Sequence, residues 1–179
     1  MRITISGSPG SGTTTLGRSI AEKYSYRYVS AGEVFRGLAK ERNMDLAAFG
    51  KIAENDPAID LEIDARQKEI GESSDDIILE GRLAGWMVEN ADLKILLYAS
   101  PACRSTRIAV REGLTEKQAF ELTVDREASE AGRYMEYYEI DILDFSPYDL
   151  ILNSETFSAD ELYVIVDTTV SSLLKRDQL

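Results

Sequence analysis

The sequence contains no histidine and one cysteine, Cys103. The absence of histidine excludes a histidine general base and histidine metal ligands, and one cysteine cannot form a disulfide within the chain. We therefore expect a reducing, cytoplasmic environment, with Cys103 as a small packed side chain rather than a nucleophile. No apolar run approaches the roughly 20 residues that a membrane helix needs, so we expect no membrane contact and no signal peptide.

Positive charge is also scarce. The chain has 20 Lys and Arg against 32 Asp and Glu, which gives a net charge of -12. Nucleic-acid-binding proteins usually carry a basic face, so this balance disfavours a nucleic acid partner or a nucleic-acid-modifying activity. Because 44% of the 179 residues are hydrophobic, we expect one compact domain, residues 1–179. We also expect a monomer.

Residues 7–14 read GSPGSGTT, which nearly matches the phosphate-binding loop pattern G-x-x-x-x-G-K-[ST]. Gly7, Gly12 and Thr14 fit the pattern, but Thr13 stands where the lysine is expected. Backbone N–H groups and the start of the following helix hold phosphate without that lysine. The loop therefore predicts nucleotide binding. It leaves open which positively charged group stabilises the phosphoryl group during transfer. The alternative is a glycine-rich turn that binds nothing.

Hydrophobic patterning places the loop between a strand and a helix. Short apolar segments alternate with helical ones, and this favours a parallel sheet covered by helices on both faces. The predicted strands are residues 2–6, 26–30, 77–80, 94–98 and 149–152, and predicted helices include residues 13–24 and 159–174. Two longer helical inserts follow the second and fourth strands.

Several arginines occur where predicted strands end or within the inserts. The carboxyl ends of parallel strands form the ligand crevice of such a sheet, and guanidinium groups bind phosphate oxygens in pairs. Arg36 and Arg82 follow two of the strands. Each arginine could instead be a surface residue paired with an acid, although Arg82, in the segment E-G-R at a strand exit, fits that alternative least well.

Four stretches in this order give the sequence a family resemblance. They are the glycine loop at 7–15, SAGEVFR at 30–36, LEGRLAGW at 79–86 and REASEAGRY at 126–134. The chain resembles the nucleoside monophosphate kinases, and most closely the archaeal-type cytidylate kinases. The resemblance implies an α/β fold of the P-loop NTPase type, a five-stranded parallel sheet with an NMP-binding insert at 31–73 and a lid at 112–138. Thr13 is ordinary for the archaeal branch, whereas Ala131-Gly132 makes the lid less basic than the wider family.

The resemblance also implies roles for individual residues. The ATP phosphates would be held by the loop residues Gly7, Ser8, Pro9, Gly10, Ser11, Gly12, Thr13, Thr14 and Thr15. Mg²⁺ would be bound by Thr14 and, through water, by Glu80. The acceptor nucleotide would be bound by residues of the strand exits and the first insert: Ser30, Gly32, Arg36, Asp60, Asp64, Arg66, Gly81 and Arg82. Catalytic roles are implied for Arg82, Arg107, Arg126 and Arg133, with Arg107 beneath the ATP base.

The implied reaction is phosphoryl transfer from ATP to CMP, and also to dCMP. It needs no histidine, since the nucleophile is a phosphate oxygen that is already ionised at neutral pH. We hypothesise that Arg107, Arg126 and Arg133 supply the charge that Thr13 lacks. The alternatives are a kinase for AMP or UMP and a nucleotide sensor without catalysis, but a sensor does not need arginines at two phosphate sites.

Base recognition is less defined by the sequence. Asp60 and Asp64 are four residues apart and share one face of a helix in the first insert. Cytosine offers an exocyclic amine, which a carboxylate accepts. The more common meaning of this spacing is a solvated acidic face, so both interpretations stay open.

Overall fold

The computed structural model describes residues 1–53 and 56–176. Its centre is a five-stranded sheet in the order β2-β3-β1-β4-β5, in which every neighbouring pair is parallel. The strands are β1 (Arg2–Gly7), β2 (Arg27–Ser30), β3 (Ile77–Glu80), β4 (Leu93–Tyr98) and β5 (Leu150–Asn153). The predicted fold class is confirmed, and the predicted strand ends differ from these by one residue or less.

Eight helices connect and cover the strands of the described chain. They are α1 (Thr13–Tyr24), α2 (Ala31–Glu41), α3 (Leu46–Ala53), α4 (Pro57–Ser73), α5 (Ala84–Met87), α6 (Pro101–Glu112), α7 (Glu116–Tyr138) and α8 (Ala159–Arg176). The helix predicted for residues 13–24 has the same bounds as α1. No helix of the described residues is both long enough and apolar enough to span a membrane.

The sheet is buried on both faces, as its continuous apolar strands predict. Ile3 and Ile5 of β1 pack on one face with α1 and α8, in a cluster that includes Leu16 and Val166. The other face packs beneath α2 to α5, where Phe49 is fully buried. Since the two helical layers leave the carboxyl edge of the sheet uncovered, that edge is where a ligand can enter.

Side-chain caps fix where the helices of the two inserts begin. Ser30 and Glu33 form a capping box at the start of α2, directly after β2. Thr115 and Gln118 form the same motif at the start of α7. The helices α2 to α4 lie within residues 31–73, and α7 lies within 112–138. The assignment of these segments as an NMP-binding insert and a lid remains a prediction.

Candidate active site

A cavity of about 880 Å³ opens at the carboxyl ends of β1, β2 and β3. A second cavity of about 630 Å³ adjoins it and shares Gly12, Thr15 and Arg107 with it. The glycine loop therefore lies between two spaces. Of the residues predicted to bind substrate or to act in catalysis, the larger cavity contains Ser30, Gly32, Arg36, Asp60, Asp64, Gly81, Arg82, Arg107, Arg126 and Arg133.

Backbone geometry explains three glycines of the loop. Gly10 and Gly12 have φ of +85° and +94°, in the left-handed region that other residues adopt only with strain. A Cβ on Gly10 would lie 2.9 Å from the carbonyl oxygen of Arg104, and one on Gly7 would lie 2.6 Å from that of Leu97. Because the loop is packed this closely, its backbone N–H groups are fixed near the start of α1.

Thr13, which stands at the position of the loop lysine, is engaged by an acid of the neighbouring strand. Its side chain is buried and donates a hydrogen bond from Oγ1 to Oε1 of Glu80, over 2.8 Å. The Tyr28 hydroxyl donates to the other carboxylate oxygen over 3.0 Å. Burial and the nearby Glu80 carboxylate raise the pKa of Tyr28. The Thr13 hydroxyl thus orients the carboxylate of Glu80.

These residues suit a magnesium ion that is bound mainly through nucleotide phosphates and water. Thr14 is exposed at the cavity wall, so its hydroxyl is accessible to an ion. Both Glu80 oxygens already accept hydrogen bonds, which fits contact through metal-bound water better than direct coordination.

Two arginines of α6 contact carbonyl oxygens of the loop. Arg107 donates from Nη1 to the carbonyl oxygen of Gly10 and to the Ser154 hydroxyl, each over 3.1 Å. Arg104, which the sequence analysis did not select, is only 2% exposed and donates from Nη1 to the Pro9 carbonyl oxygen over 3.4 Å. The sequence signal for Arg104 is its position three residues before Arg107, which places both side chains on one face of a helix.

Arg104 also connects the loop to α7. Its Nη2 donates to Oε2 of Glu127 over 2.7 Å, and the Ser8 hydroxyl donates to Oε1 of the same carboxylate over 2.7 Å. Although burial alone would raise the pKa of Glu127, Ser8 and Arg104 hold it below its usual value. The helix α7 therefore contacts the loop through Glu127.

A second acid of α7, Glu130, lies between two of the predicted arginines. Arg82 donates from Nε to Oε2 of Glu130 over 3.1 Å, and Arg126 donates from Nε to Oε1 over 2.8 Å. Arg82 also reaches Oε1 of Glu127 over 3.4 Å. The sequence predicts the arginines but not Glu127 or Glu130, since an acid on a polar helix gives no sign of facing inward.

The far end of α7 contacts the helix that carries the predicted base-reading acids. Arg133 forms an ion pair with Asp60 over 3.2 Å, and the Tyr138 hydroxyl donates to Oδ2 of Asp64 over 2.9 Å. Burial raises the pKa of Asp64 to about 6, although Tyr138 opposes the increase. The spacing of the two acids thus reflects a face turned toward the cavity and α7, not a solvated face.

Some predicted site residues lie elsewhere. Arg66 does not line the cavity; it is on another face of α4, where it pairs with Glu41 over 3.3 Å. Because Arg66 comes two residues after Asp64 on one helix, its side chain points about 200° around the axis, so the expectation that both face one ligand does not fit the geometry. Ser8 lines neither cavity and is hydrogen-bonded to Glu127, and Ser11 lines only the smaller cavity.

The fold and the glycine loop together define an α/β architecture of the P-loop NTPase type. Solved structures with the same fold include a shikimate kinase from Bacteroides thetaiotaomicron, with a TM-score of 0.64 and 13% identity over 96% of this chain and 98% of that one. A protein from Eubacterium ventriosum has a TM-score of 0.71 at 17% identity, over 95% of this chain and 98% of that one. At these identities the likeness shows the fold alone.

Sequence comparison gives the family. Residues 2–156 match the cytidylate kinase-like family. The chain is 92% identical to a cytidylate kinase from Methanocorpusculum labreanum, over 99% of this chain and all of that one. It is 48% identical to a cytidylate kinase from Pyrococcus furiosus, over 96% of this chain and 88% of that one. The chain belongs to the cytidylate kinase-like family, and the resemblance stated above is confirmed.

Proposed function

We propose that this protein transfers the γ-phosphoryl group of ATP to CMP, giving CDP and ADP. The observation that carries the proposal is the pair of adjoining cavities that share the glycine loop. Arg107 borders both cavities, and the larger one is also bordered by arginines from three separate segments, Arg36, Arg82 and Arg126. This arrangement suits a donor nucleotide and an acceptor nucleotide that meet end to end. Full-length relatives named as cytidylate kinases support the acceptor.

The chemistry needs positioning and charge stabilisation more than proton transfer. The loop would hold the donor phosphates, while Arg36 and Arg82 would hold the acceptor phosphate. Arg107, Arg126 and Arg133 would supply the positive charge that a loop lysine supplies elsewhere. Mg²⁺, bound with ATP, would neutralise the terminal phosphates, with Thr14 as a direct contact and Glu80 orienting its water. Closure of α7 would keep other water from the transferring group.

Asp64 is the best-placed reader of the acceptor base. One of its oxygens accepts from Tyr138, and the other has no hydrogen bond within the described residues. An ionised carboxylate accepts from the amine of cytosine but meets only an acceptor at the corresponding position of uracil. Asp64 thus favours CMP over UMP. The base of AMP also carries an exocyclic amine, so this contact alone does not exclude AMP. We extend the acceptors to dCMP, as the resemblance implies.

A coupled assay for ADP release, with ATP–Mg²⁺ and each nucleoside monophosphate in turn, tests the proposal. Turnover with CMP and dCMP at rates well above AMP, UMP and GMP is the expected result. Turnover with AMP or UMP instead would keep the mechanism and reject the base assignment. ATP binding without turnover of any acceptor would reject the enzyme and favour a nucleotide sensor.

A cytoplasmic location and a monomeric state complete the proposal. The single cysteine, Cys103, supports a reducing compartment, and the small-molecule acceptor requires no protein or nucleic acid partner. Sedimentation of the purified chain would test the oligomeric state.

A further inference from the structure

We infer that Glu130 is a positioning residue that orients two phosphate-binding arginines, Arg82 and Arg126, for the transfer reaction. The inference rests on the proposed function and adds to it a residue that acts through these two arginines. Its basis is how the Glu130 carboxylate is buried, which atoms of the arginines it engages and which atoms it leaves available.

The burial of Glu130 is unusual for its helix. Its side chain is 5% exposed, whereas its neighbours Ala128 and Ser129 are exposed. A carboxylate removed from water is destabilising unless its charge is balanced and its oxygens accept hydrogen bonds. Each Glu130 oxygen accepts from one guanidinium, so the carboxylate stabilises two cations at once.

The two arginines come from different parts of the fold. Arg82 follows β3 at the sheet edge, and Arg126 is one helical turn before Glu130 on α7. Without a common acid between them, two guanidinium groups lining one cavity would repel each other. Glu130 therefore sets both the distance between the arginines and the position of α7 relative to the sheet.

The atoms engaged are the decisive detail. Glu130 accepts from Nε of both arginines, which is the nitrogen nearest the chain. Within the described residues, both terminal nitrogens of Arg126 and Nη1 of Arg82 have no hydrogen-bond partner. Those terminal nitrogens form the fork that binds phosphate oxygens in pairs. Glu130 thus holds each guanidinium group by its Nε and leaves terminal nitrogens available to a nucleotide.

The test compares Glu130→Gln with Glu136→Gln in the same coupled assay. The Glu130→Gln substitution keeps the side-chain shape but replaces one acceptor oxygen with an amide that cannot accept from an arginine. Glu136 is an exposed acid of α7 with no ion pair within the described residues, so it is a matched control. We expect Glu130→Gln to lower kcat by about 100-fold, as a displacement of about 1 Å at a reacting group does. The KM for ATP should stay near that of Glu136→Gln, whereas the midpoint of thermal unfolding should be lower, because two arginines lose a buried charged partner.

Several results would overturn the inference. An unchanged kcat would show that the arginines need no common acid. A lower KM for CMP with kcat maintained would mean that Glu130 competes with phosphate for the arginines. Equal losses of kcat, ATP affinity and thermal stability would indicate a merely structural role.

Two further variants keep the test decisive. If Glu130→Gln does not fold, Glu130→Asp is assayed by the same criteria, with a smaller decrease in kcat expected because the carboxylate is retained. Combining Glu130→Gln with Arg126→Ala should lower kcat by less than the product of the two single losses, since Glu130 acts partly through that arginine; fully multiplicative losses would count against the inference. If the wild-type chain turns over no acceptor, the proposed function itself fails, and this inference fails with it.

Discussion

At the scale of single residues, the site is built from polar side chains whose partners determine what they do. Thr13 occupies a position associated with a cation, yet it is buried and hydrogen-bonded to an acid. Asp64 is an ordinary carboxylate in sequence, but burial raises its pKa to about 6. Each of these local environments has a consequence that can be measured.

The pKa of Asp64 predicts that base selectivity depends on pH. The groups around it are Tyr138, Asp60 and Arg133. Above a pH of about 6, Asp64 is ionised and accepts from the cytosine amine; below it, the protonated acid can donate to the carbonyl oxygen of uracil. The ratio of kcat/KM for CMP to that for UMP should therefore rise as pH increases from 5 to 7, by about 10-fold or more, the loss associated with one hydrogen bond.

The ratio is the right measurement because the phosphates of both nucleotides titrate with pKa values of about 6, and that effect cancels between them. Asp64→Asn, which cannot ionise, should make the ratio independent of pH. A ratio that varies equally in wild type and Asp64→Asn would contradict the assignment of Asp64.

The hydrogen bond from Thr13 to Glu80 predicts a stability effect. Thr13→Val keeps the shape but removes the hydroxyl, so one Glu80 oxygen loses its donor. We expect the free energy of unfolding to fall by about 1–3 kcal/mol. Urea unfolding followed by circular dichroism measures it, with Thr106→Val, an exposed helical threonine, as the control. Equal small effects from both substitutions would show that the Thr13 hydroxyl is not needed to hold Glu80.

At the scale of elements, the sequence predicted the strands and α1 well because their signals are local. Apolar runs of β-branched residues define the strands, and the apolar spacing of Leu16 and Ile20 defines α1. The faces of α4 and α7 were harder to predict, since both helices are polar on several sides. Arg66 was expected in the cavity and lies outside it, whereas Glu130 is buried and was not selected.

Two glycines of different elements should respond oppositely to replacement by alanine. Gly10 has φ of +85°, and its added Cβ would lie 2.9 Å from the Arg104 carbonyl oxygen. Gly10→Ala should lower the free energy of unfolding by about 2 kcal/mol through backbone strain, and should weaken ATP binding. Gly132 lies within α7, and an added Cβ would have no heavy atom within 4 Å.

Gly132→Ala should therefore stabilise the protein by up to about 1 kcal/mol, the difference in helix propensity. Urea unfolding of both variants, with titration calorimetry for ATP, gives the comparison. A stability decrease at Gly132 would mean that α7 is not a continuous helix there, and a neutral Gly10→Ala would reject the close packing of the loop against α6.

At the scale of the whole molecule, several arginines line one cavity of a chain whose net charge is -12. The fold achieves this by bringing Arg82 of the sheet edge together with Arg126 and Arg133 of α7. Acids accompany them: Glu130 and Asp60 pair with these arginines in the absence of nucleotide. Local cation density is therefore high while the net charge of the surface stays negative.

This arrangement predicts the effect of removing an α7 arginine. Arg126→Ala or Arg133→Ala should lower kcat by about 10³, as the loss of other transition-state arginines does, with a modest change in ATP affinity. Lys117→Ala is the control, because Lys117 is an exposed cation on the same helix. The measurements are steady-state kinetics with CMP and calorimetry with ATP. Small effects on kcat from both arginine variants would show that the charge missing at Thr13 is supplied elsewhere.

Local sequence patterns were enough to specify the strands, the glycine loop, the helices between them and the arginines available for phosphate. These features depend on local periodicity, on backbone freedom at a few glycines and on the chemistry of single side chains. The partners of the buried polar groups came from the tertiary structure: Thr13 with Glu80, Arg104 with Glu127, and Glu130 with Arg82. Each of these pairs joins residues distant in the chain. Which acid meets which arginine depends on how α4, α6 and α7 rotate as they pack against the sheet and one another, and no local pattern encodes that rotation.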